Sequence, residues 1–404
     1  MRYPEPCIFF DSAAAARPHP QLAEWYAELL PVCSVNPHGG TCYAERARRV
    51  ALEAARRLLR LLHVPDGEAD VIWTSGVTEA LNLAATLPHG ELLFDPTAHA
   101  SLTAPLERSS AARMPFMVQR NGKLMLGCHA FASLEGESGS PRMAAISHIN
   151  NETGVLQDVC ALRTAMGPST LMLLDCAQSF CKCNIPWRKA HLDAVALSSR
   201  KIGGPASVGA LVIRKNVQPA HSEGVRCQDG VSTATVTRGR AAFGLRPLII
   251  GGGQQRGLRS GTMDVCGIEM FVRAAEDAAS HLADYKSRLL ELNRLYDELL
   301  DGFSRKWKAV KVGETESDGA IHLLHLPGYE GAVVSRILAE EYGVLVASSS
   351  ACSAEHGSGS TSMRAMGFSE QEAKEAIRIS FDLQNTPDEL CKLFQVLDKT
   401  LAEF

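Results

Sequence analysis

Residues 171–213 read LMLLDCAQSFCKCNIPWRKAHLDAVALSSRKIGGPASVGALVI and hold three short apolar runs, Leu171–Leu174, Ala194–Ser198 and Ala210–Ile213, set apart by polar and glycine-rich turns. Short apolar runs bounded by turn signals read as strands buried on both faces. Three runs of the same kind precede them, Val71–Thr74, Leu92–Phe94 and Met143–His148, with helical stretches between. Strands that alternate with helices predict a mostly parallel sheet with helices on both faces, an α/β fold.

Outward from this stretch, Ala44–Leu62 (AERARRVALEAARRLLRLL) places apolar residues at helical spacing opposite an arginine-rich face, which reads as a long amphipathic helix with solvated arginines. A second region begins at Val265. Its stretch Glu269–Phe303 reads as one long helix linking two domains, followed by strand-like Ala320–Leu326 and Gly343–Ala347 and by helices near Glu330–Tyr342, Glu370–Ile379 and Pro387–Phe404. This is the pattern of a smaller α+β domain, giving a large domain over 16–264 and a small one over 265–404. Residues 216–244, which include SEGVRCQDGVSTATVTRGR, are poor in large apolar side chains and read as an exposed loop insertion.

The chain has 404 residues, 46% hydrophobic and 21% charged, with a net charge of -4, so neither nucleic acid nor an anionic membrane is an expected partner. Met1–Phe10 carries no signal-peptide pattern and no apolar stretch reaches membrane-spanning length, so a cytoplasmic protein is expected. The twelve cysteines form no disulfide framework. Cys181 and Cys183 lack the paired spacing of a structural zinc site, so no metal is expected, and with Cys176 they read as small buried hydrophobes.

Four segments carry residues able to do chemistry. Lys201 sits in SSRKIGGP (198–205), between two strands, where partial desolvation favours the neutral amine that forms a Schiff base; a surface-loop lysine is the alternative. Asp175 ends an apolar strand, at the sheet edge where α/β folds bind ligands. It can pair with a pyridinium nitrogen or cap a helix, and the residues alone leave both readings open. In TSGVTE (74–79) a strand runs into a helix whose first N–H groups and hydroxyls can hold a phosphate, without a dinucleotide fingerprint. Cys352 lies among Ser, Gly, Glu and His in SSSACSAEHGSG (348–359), a setting suited to an accessible nucleophile rather than a packing residue.

Taken together these segments resemble the cysteine desulfurases, fold-type I pyridoxal-phosphate enzymes of the class-V aminotransferase superfamily. The likeness runs through Asn36-Pro37, TSGVTEALNLA (74–84), TAHASL (97–102), NNETGVLQ (150–157), DCAQS (175–179), SSRKIGGP, GGGQQRGLRSGT (251–262), SSSACSA (348–354) and AIRIS (376–380). It implies a large domain with a seven-stranded sheet and an N-terminal segment, 1–15, packing near the small domain. It implies pyridoxal 5'-phosphate held on Lys201, with Asp175 on the ring nitrogen, Gln178 on the ring hydroxyl, His99 stacked on the ring and available for proton transfer, and Asn151 touching the ring. Val77, Thr78, Ser198 and Arg200 resemble the phosphate cradle. Thr262 resembles the residue that reaches the neighbouring subunit's phosphate, which implies a homodimer. Arg378 resembles the clamp for the carboxylate of L-cysteine, with Asn36 helping to orient it, and Cys352 the thiol that takes the sulfur as a persulfide for a sulfur-acceptor protein serving iron–sulfur clusters, thio-cofactors or tRNA. A selenocysteine lyase, an inactive desulfurase-like scaffold and an ordinary class-V aminotransferase are the alternatives. Four departures stand out: Arg200 replaces a histidine, Val77 replaces a small residue, DSAAAARP (11–18) replaces a threonine-bearing motif, and Ser380-Phe381-Asp382 replaces the usual SLG.

Overall fold

The computed structural model describes residues 7–127, 142–215, 244–313, 319–348 and 359–403. Cys352 and nearly all of the 216–244 stretch lie outside them.

Seven strands form one mixed sheet in the spatial order Ala69–Thr74, Gly209–Arg214, Ala194–Ser198, Leu171–Asp175, Arg142–Ser147, Glu91–Phe94, Ala112–Pro115. The last five are mutually parallel, and Gly209–Arg214 runs antiparallel to both its neighbours. The two-residue side-chain period sorts the apolar runs onto two faces. Met172, Leu174, Val195 and Leu197 pack into one core with helix Val265–Ser280, whereas Leu173, Ala194 and Ala196 pack into a second with helices Val77–Ala84 and Ala100–Glu107. Burial of each large side chain contributes roughly 1.5–3 kcal/mol. The expected mostly parallel, doubly covered seven-stranded sheet is therefore present.

Helix Cys42–Leu61 is capped by Thr41, whose hydroxyl accepts from the Ala44 N–H at 3.2 Å, and buries Ala44, Ala47, Ala51, Ala54 and Leu58 along one stripe. Its polar face is not wholly solvated: Arg57 bonds Glu269 at 2.8 Å and Glu276 at 2.6 Å, locking this helix to Val265–Ser280. Periodicity marks a polar face but cannot say which polar residues find a partner across a helix pair.

A second, four-stranded sheet takes the order Val310–Val312, Ile321–His325, Ala376–Ser380, Ala347–Ser348. Helices Leu282–Trp307, Gly331–Tyr342 and Pro387–Ala402 cover it around Tyr296, Leu324, Leu338, Ile377 and Leu397. Two sequence expectations fail here. Glu269–Phe303 is two helices, broken at His281 (φ -97°, ψ 13°), because the first serves the large core through Ile268 and Phe271 and the second the small core through Leu289 and Leu292. Glu370–Ile379 is a short helix, Glu370–Lys374, closed by a Ser369/Glu372 capping box, followed by the strand Ala376–Ser380. Ile377 and Ile379 are β-branched and alternate across Arg378, a pattern that pays off only when partner strands stand on both sides.

The N-terminal segment crosses between the two sheets. Ile8–Phe9 pairs in parallel with Val344–Leu345, Asp11 bridges Ser380, and the Ser12 hydroxyl donates to the Phe381 carbonyl at 2.6 Å. Among the described residues no helix is long and apolar enough to cross a membrane.

His148, just past the strand Arg142–Ser147, is held at a pKa of about 4 by burial, against an ordinary 6.5. A histidine lowered in the folded state stabilises fully above pH 6.5, and that contribution is lost as pH falls from 6.5 towards 4. His148→Gln is expected to remove this dependence. Urea unfolding at pH 7.5 and pH 4.5 should show the wild type losing about 2–3 kcal/mol more than the variant over that interval; parallel losses would contradict the assignment.

Candidate active site

Strand ends create the site. At the carboxyl edge of the large sheet, Asp175 ends one strand and Ser198 its neighbour, and the chain then turns through a short 3-10 segment that presents Lys201. The Lys201 amine donates to the carbonyls of Ala13 (2.7 Å) and Ala14 (2.6 Å), so the N-terminal segment forms the wall beside it. Gln178, in the turn after Asp175, donates its amide N–H to the same Ala13 carbonyl at 2.8 Å. Its Oε1 is buried with no hydrogen-bond partner among the described residues. An amide oxygen left in that state costs about 1–3 kcal/mol unless something supplies a donor.

Among the described residues the Asp175 carboxylate accepts one hydrogen bond, from the Ala177 N–H at 2.9 Å. Burial pushes its pKa up from 3.8 to about 6, opposed by that bond and by the charge of Lys201. Its carboxylate is thus ionised at neutral pH and short of partners, ready for a buried cation or N–H donor.

His99 caps helix Ala100–Glu107. Its Nδ1 faces the Ser101 backbone N–H at 3.0 Å and the Ser101 hydroxyl at 2.8 Å. A backbone N–H can only donate, so Nδ1 carries no proton and the proton of the neutral ring sits on Nε2. Burial first, then the charges of Lys201 and Arg378, lowers the pKa of His99 and keeps the ring neutral.

The phosphate-sized corner lies at the start of helix Val77–Ala84. Gly76 adopts φ +155°, and a Cβ on the facing Gly209 would come within 2.5 Å of the Gly76 carbonyl carbon, so only glycines allow this approach. The Glu79 carboxylate accepts from the Ser75 N–H at 2.7 Å and pairs with Arg259 at 2.9 Å. The N–H groups that follow are left to the helix terminus, where an anion is favoured.

Arg378, on the central strand of the small sheet, reaches the same space. Nη2 meets the Asp11 carboxylate at 2.7 Å, Nη1 donates to the Asn151 carbonyl at 3.0 Å, and Nε is buried without a partner among the described residues. The turn that carries Asn151 is fixed from below. Glu152 accepts from the Ser360 hydroxyl and from the Ser362 N–H (3.2 Å), and Asn150 Oδ1 accepts from the Thr153 N–H (2.9 Å).

One cavity of about 390 Å³ joins the strand ends, the helix start and the Arg378 strand, while Asp11 and the Glu152 contacts support its wall from outside. Val77 and Thr78, His99, Asn151, Asp175 and Gln178, then Ser198, Arg200 and Lys201, and finally Arg378 all line it. Asn36 is exposed and does not line the cavity, and its Oδ1 accepts from the His38 N–H at 3.0 Å; Thr262, expected to serve a neighbouring subunit's site, is exposed and outside this cavity. Cys352 lies outside the described residues. Sequence reasoning missed Asp11 and the carbonyls of Ala13 and Ala14. Asp11 opens the DSAAAARP stretch, and no local pattern marks it as the partner of an arginine 367 residues away. A larger cavity of about 500 Å³ lies on the far side of the Lys201 turn, but Asp175, His99 and Arg378 do not line it.

The donor set fits pyridoxal phosphate: a partner-poor carboxylate for a ring nitrogen, an orphaned amide oxygen for a ring hydroxyl, a glycine-shaped helix start for phosphate, and a primary amine between them. Among the described residues no group of His, Cys, Asp and Glu could hold a metal ion.

Known proteins resemble this chain along most of its length. A cysteine desulfurase of Cereibacter sphaeroides is 30% identical over 96% of this chain and 94% of its own length. Another, from Frankia sp. (strain EuIK1), is 27% identical over 95% of this chain and 88% of its own. The solved structure of a NifS-like protein from Rickettsia africae ESF-5 superposes with a TM-score of 0.82 at 21% identity, covering 99% of this chain and 100% of that one, which shows the shared fold-type I architecture. The aminotransferase class-V family model matches residues 8–393, and with both sheets and their connecting helices inside that span the chain belongs to the class-V aminotransferase family.

Proposed function

We propose that this protein is a pyridoxal-phosphate-dependent cysteine desulfurase that converts L-cysteine to L-alanine and keeps the sulfur as a persulfide on Cys352. The observation that carries the reading is the convergence of Lys201, Asp175, His99, Gln178 and Arg378 on one cavity, with the Gln178 and Arg378 orphaned atoms facing unfilled needs. When bound, the cofactor supplies an electron sink for the amino acid's α-carbon.

The residues divide the remaining work. Lys201 would hold the cofactor covalently, and its free amine would move the α-proton. Asp175 holds a proton on the ring nitrogen. Gln178 orients the ring hydroxyl, Asn151 the ring edge, and Val77, Thr78, Ser198 and Arg200 the phosphate. Neutral His99 carries its mobile proton on Nε2, available to the reacting atoms. Arg378 takes the substrate carboxylate, for which a planar two-donor edge is suited. Cys352, as thiolate, forms a bond to the substrate sulfur while the carbon–sulfur bond breaks; that electron pair stays with the substrate carbon, which takes a proton to become the methyl group of alanine.

The full assembly belongs to the same proposal: a large domain over 16–264, a small one over 265–404 with residues 1–15 beside it, and a cytoplasmic homodimer in which Thr262 of each subunit completes the other's phosphate site. The exposure of Thr262 supports that role. A sulfur-acceptor protein then draws on the persulfide.

The test is peptide mapping by mass spectrometry after addition of L-cysteine to the holoenzyme. A mass increase of one sulfur on the Cys352 peptide is expected, with a borohydride-fixed adduct on Lys201. Alanine release with the added sulfur on a different cysteine would refute the Cys352 assignment. A strong turnover preference for selenocysteine would redirect the substrate to selenium.

A further inference from the structure

The arginine expected to take the substrate carboxylate already meets a carboxylate of the protein. A guanidinium offers its side edge, Nε–H beside Nη2–H, as a two-point match to a carboxylate. On Arg378, Nη1 is committed to the Asn151 carbonyl, Nη2 to Asp11 at 2.7 Å, and Nε is buried without a partner among the described residues. Asp11 therefore covers half of the edge and leaves the other half vacant.

From this geometry we infer that Asp11 is a resident stand-in for the substrate carboxylate, which it holds off and then yields to, so that it sets the affinity for amino acids through Arg378. The inference rests on Arg378 being the carboxylate clamp.

Electrostatics requires the exchange. Arg378 is nearly buried, its side chain 7% exposed, and its single positive charge can compensate one carboxylate; a second brought to the same edge would be an uncompensated buried anion. Asp11, with 26% of its side chain exposed, can turn out to water, whereas Arg378 is pinned on a central strand by neighbours on both sides. Asp11 is therefore the partner that moves.

Its movement reaches further than the arginine. The Asp11 carbonyl accepts from the Ala14 N–H at 3.0 Å and the Ala15 N–H at 3.3 Å, and the Ala13 and Ala14 carbonyls hold Lys201. One five-residue turn thus touches both the arginine that takes the substrate and the lysine that must let go of the cofactor. Release of Asp11 loosens the carbonyls that grip the Lys201 amine. Asp11 is a positioning residue in this scheme: it touches Arg378, not the reacting atoms.

Two measurements on the holoenzyme test it. Asp11→Asn keeps an oxygen for Nη2 but removes the competing charge, so KM for L-cysteine is expected to fall about 3- to 10-fold with kcat changed less than about twofold. Asp11→Ala removes the same competing charge and should lower KM as well. The Asp11→Asn effect must vanish in an Arg378→Ala background. An unchanged or raised KM in Asp11→Asn, or a gain that persists without Arg378, overturns the inference. If Arg378→Ala alone leaves KM unchanged, the clamp reading itself has failed and the inference falls with it. The second measurement needs no variant: hydrogen–deuterium exchange of the wild-type holoenzyme with and without L-alanine. Faster exchange at Ala14–Ala16 in its presence is the expected result, and equal or slower exchange there refutes displacement.

Discussion

Lys201→Ala is expected to lower alanine formation from L-cysteine by at least about 10³-fold, with loss of the covalently held cofactor's absorption band. The amine is the only nitrogen the turn after Ser198 can offer to a cofactor aldehyde, and it sits between Asp175 and the glycine-shaped helix start. Its grip on the Ala13 and Ala14 carbonyls raises a competing explanation, that the lysine merely anchors the N-terminal segment. Lys201→Arg separates the two. It keeps the charge and the donors to those carbonyls but cannot form the covalent link, so it should fold like the wild type and be as inactive as the alanine variant. Recovery of more than about a tenth of the wild-type rate by Lys201→Arg would reduce the lysine to an anchor.

Asp175→Ala should cost about 10²- to 10³-fold in kcat, and Asp175→Asn should do no better, because the site needs the charge rather than the shape. The raised pKa adds a pH signature. In the cofactor-free protein Asp175 takes up a proton near pH 6 instead of near 3.8, since burial outweighs the Ala177 bond and the Lys201 charge. A protonated Asp175 cannot compensate a protonated ring nitrogen, so cofactor affinity should hold above pH 6 and weaken as pH falls below it. Fluorescence titration of cofactor-free protein with pyridoxal phosphate between pH 5 and 8 measures this. In Asp175→Asn the curve should be weak throughout and free of that step; an identical step in the variant would assign it to another group.

The cavity was more legible in the sequence than the architecture around it. Its residues fall in short motifs whose chemistry is local: a lysine in a glycine-rich turn, an acid at a strand end, a hydroxyl-rich strand-to-helix turn. Each motif carries its own geometry, so the order of the motifs sufficed to expect them at one edge of a sheet. The Arg378 strand was different. AIRIS follows a good helix, and the three-residue spacing of Ala376 and Ile379 satisfied a helical period as readily as a two-residue alternation; only the strands on either side decide for the latter. The helix break at His281 was hidden for a related reason, since leucines on both sides continue one pattern while serving two different cores.

By itself the sequence pointed to an α/β sheet covered by helices and, through its motifs, to the family the chain resembles, because strand period, turn residues and motif order are properties of neighbouring residues. Tertiary structure alone decided that Asp11 would face Arg378, that the Ala13 and Ala14 carbonyls would hold Lys201, and that Gln178 Oε1 and Arg378 Nε would be left wanting partners. Asp11 and Arg378 are 367 residues apart. Contacts of that separation depend on how two sheets and a crossing segment settle against each other, which no local pattern of side chains encodes.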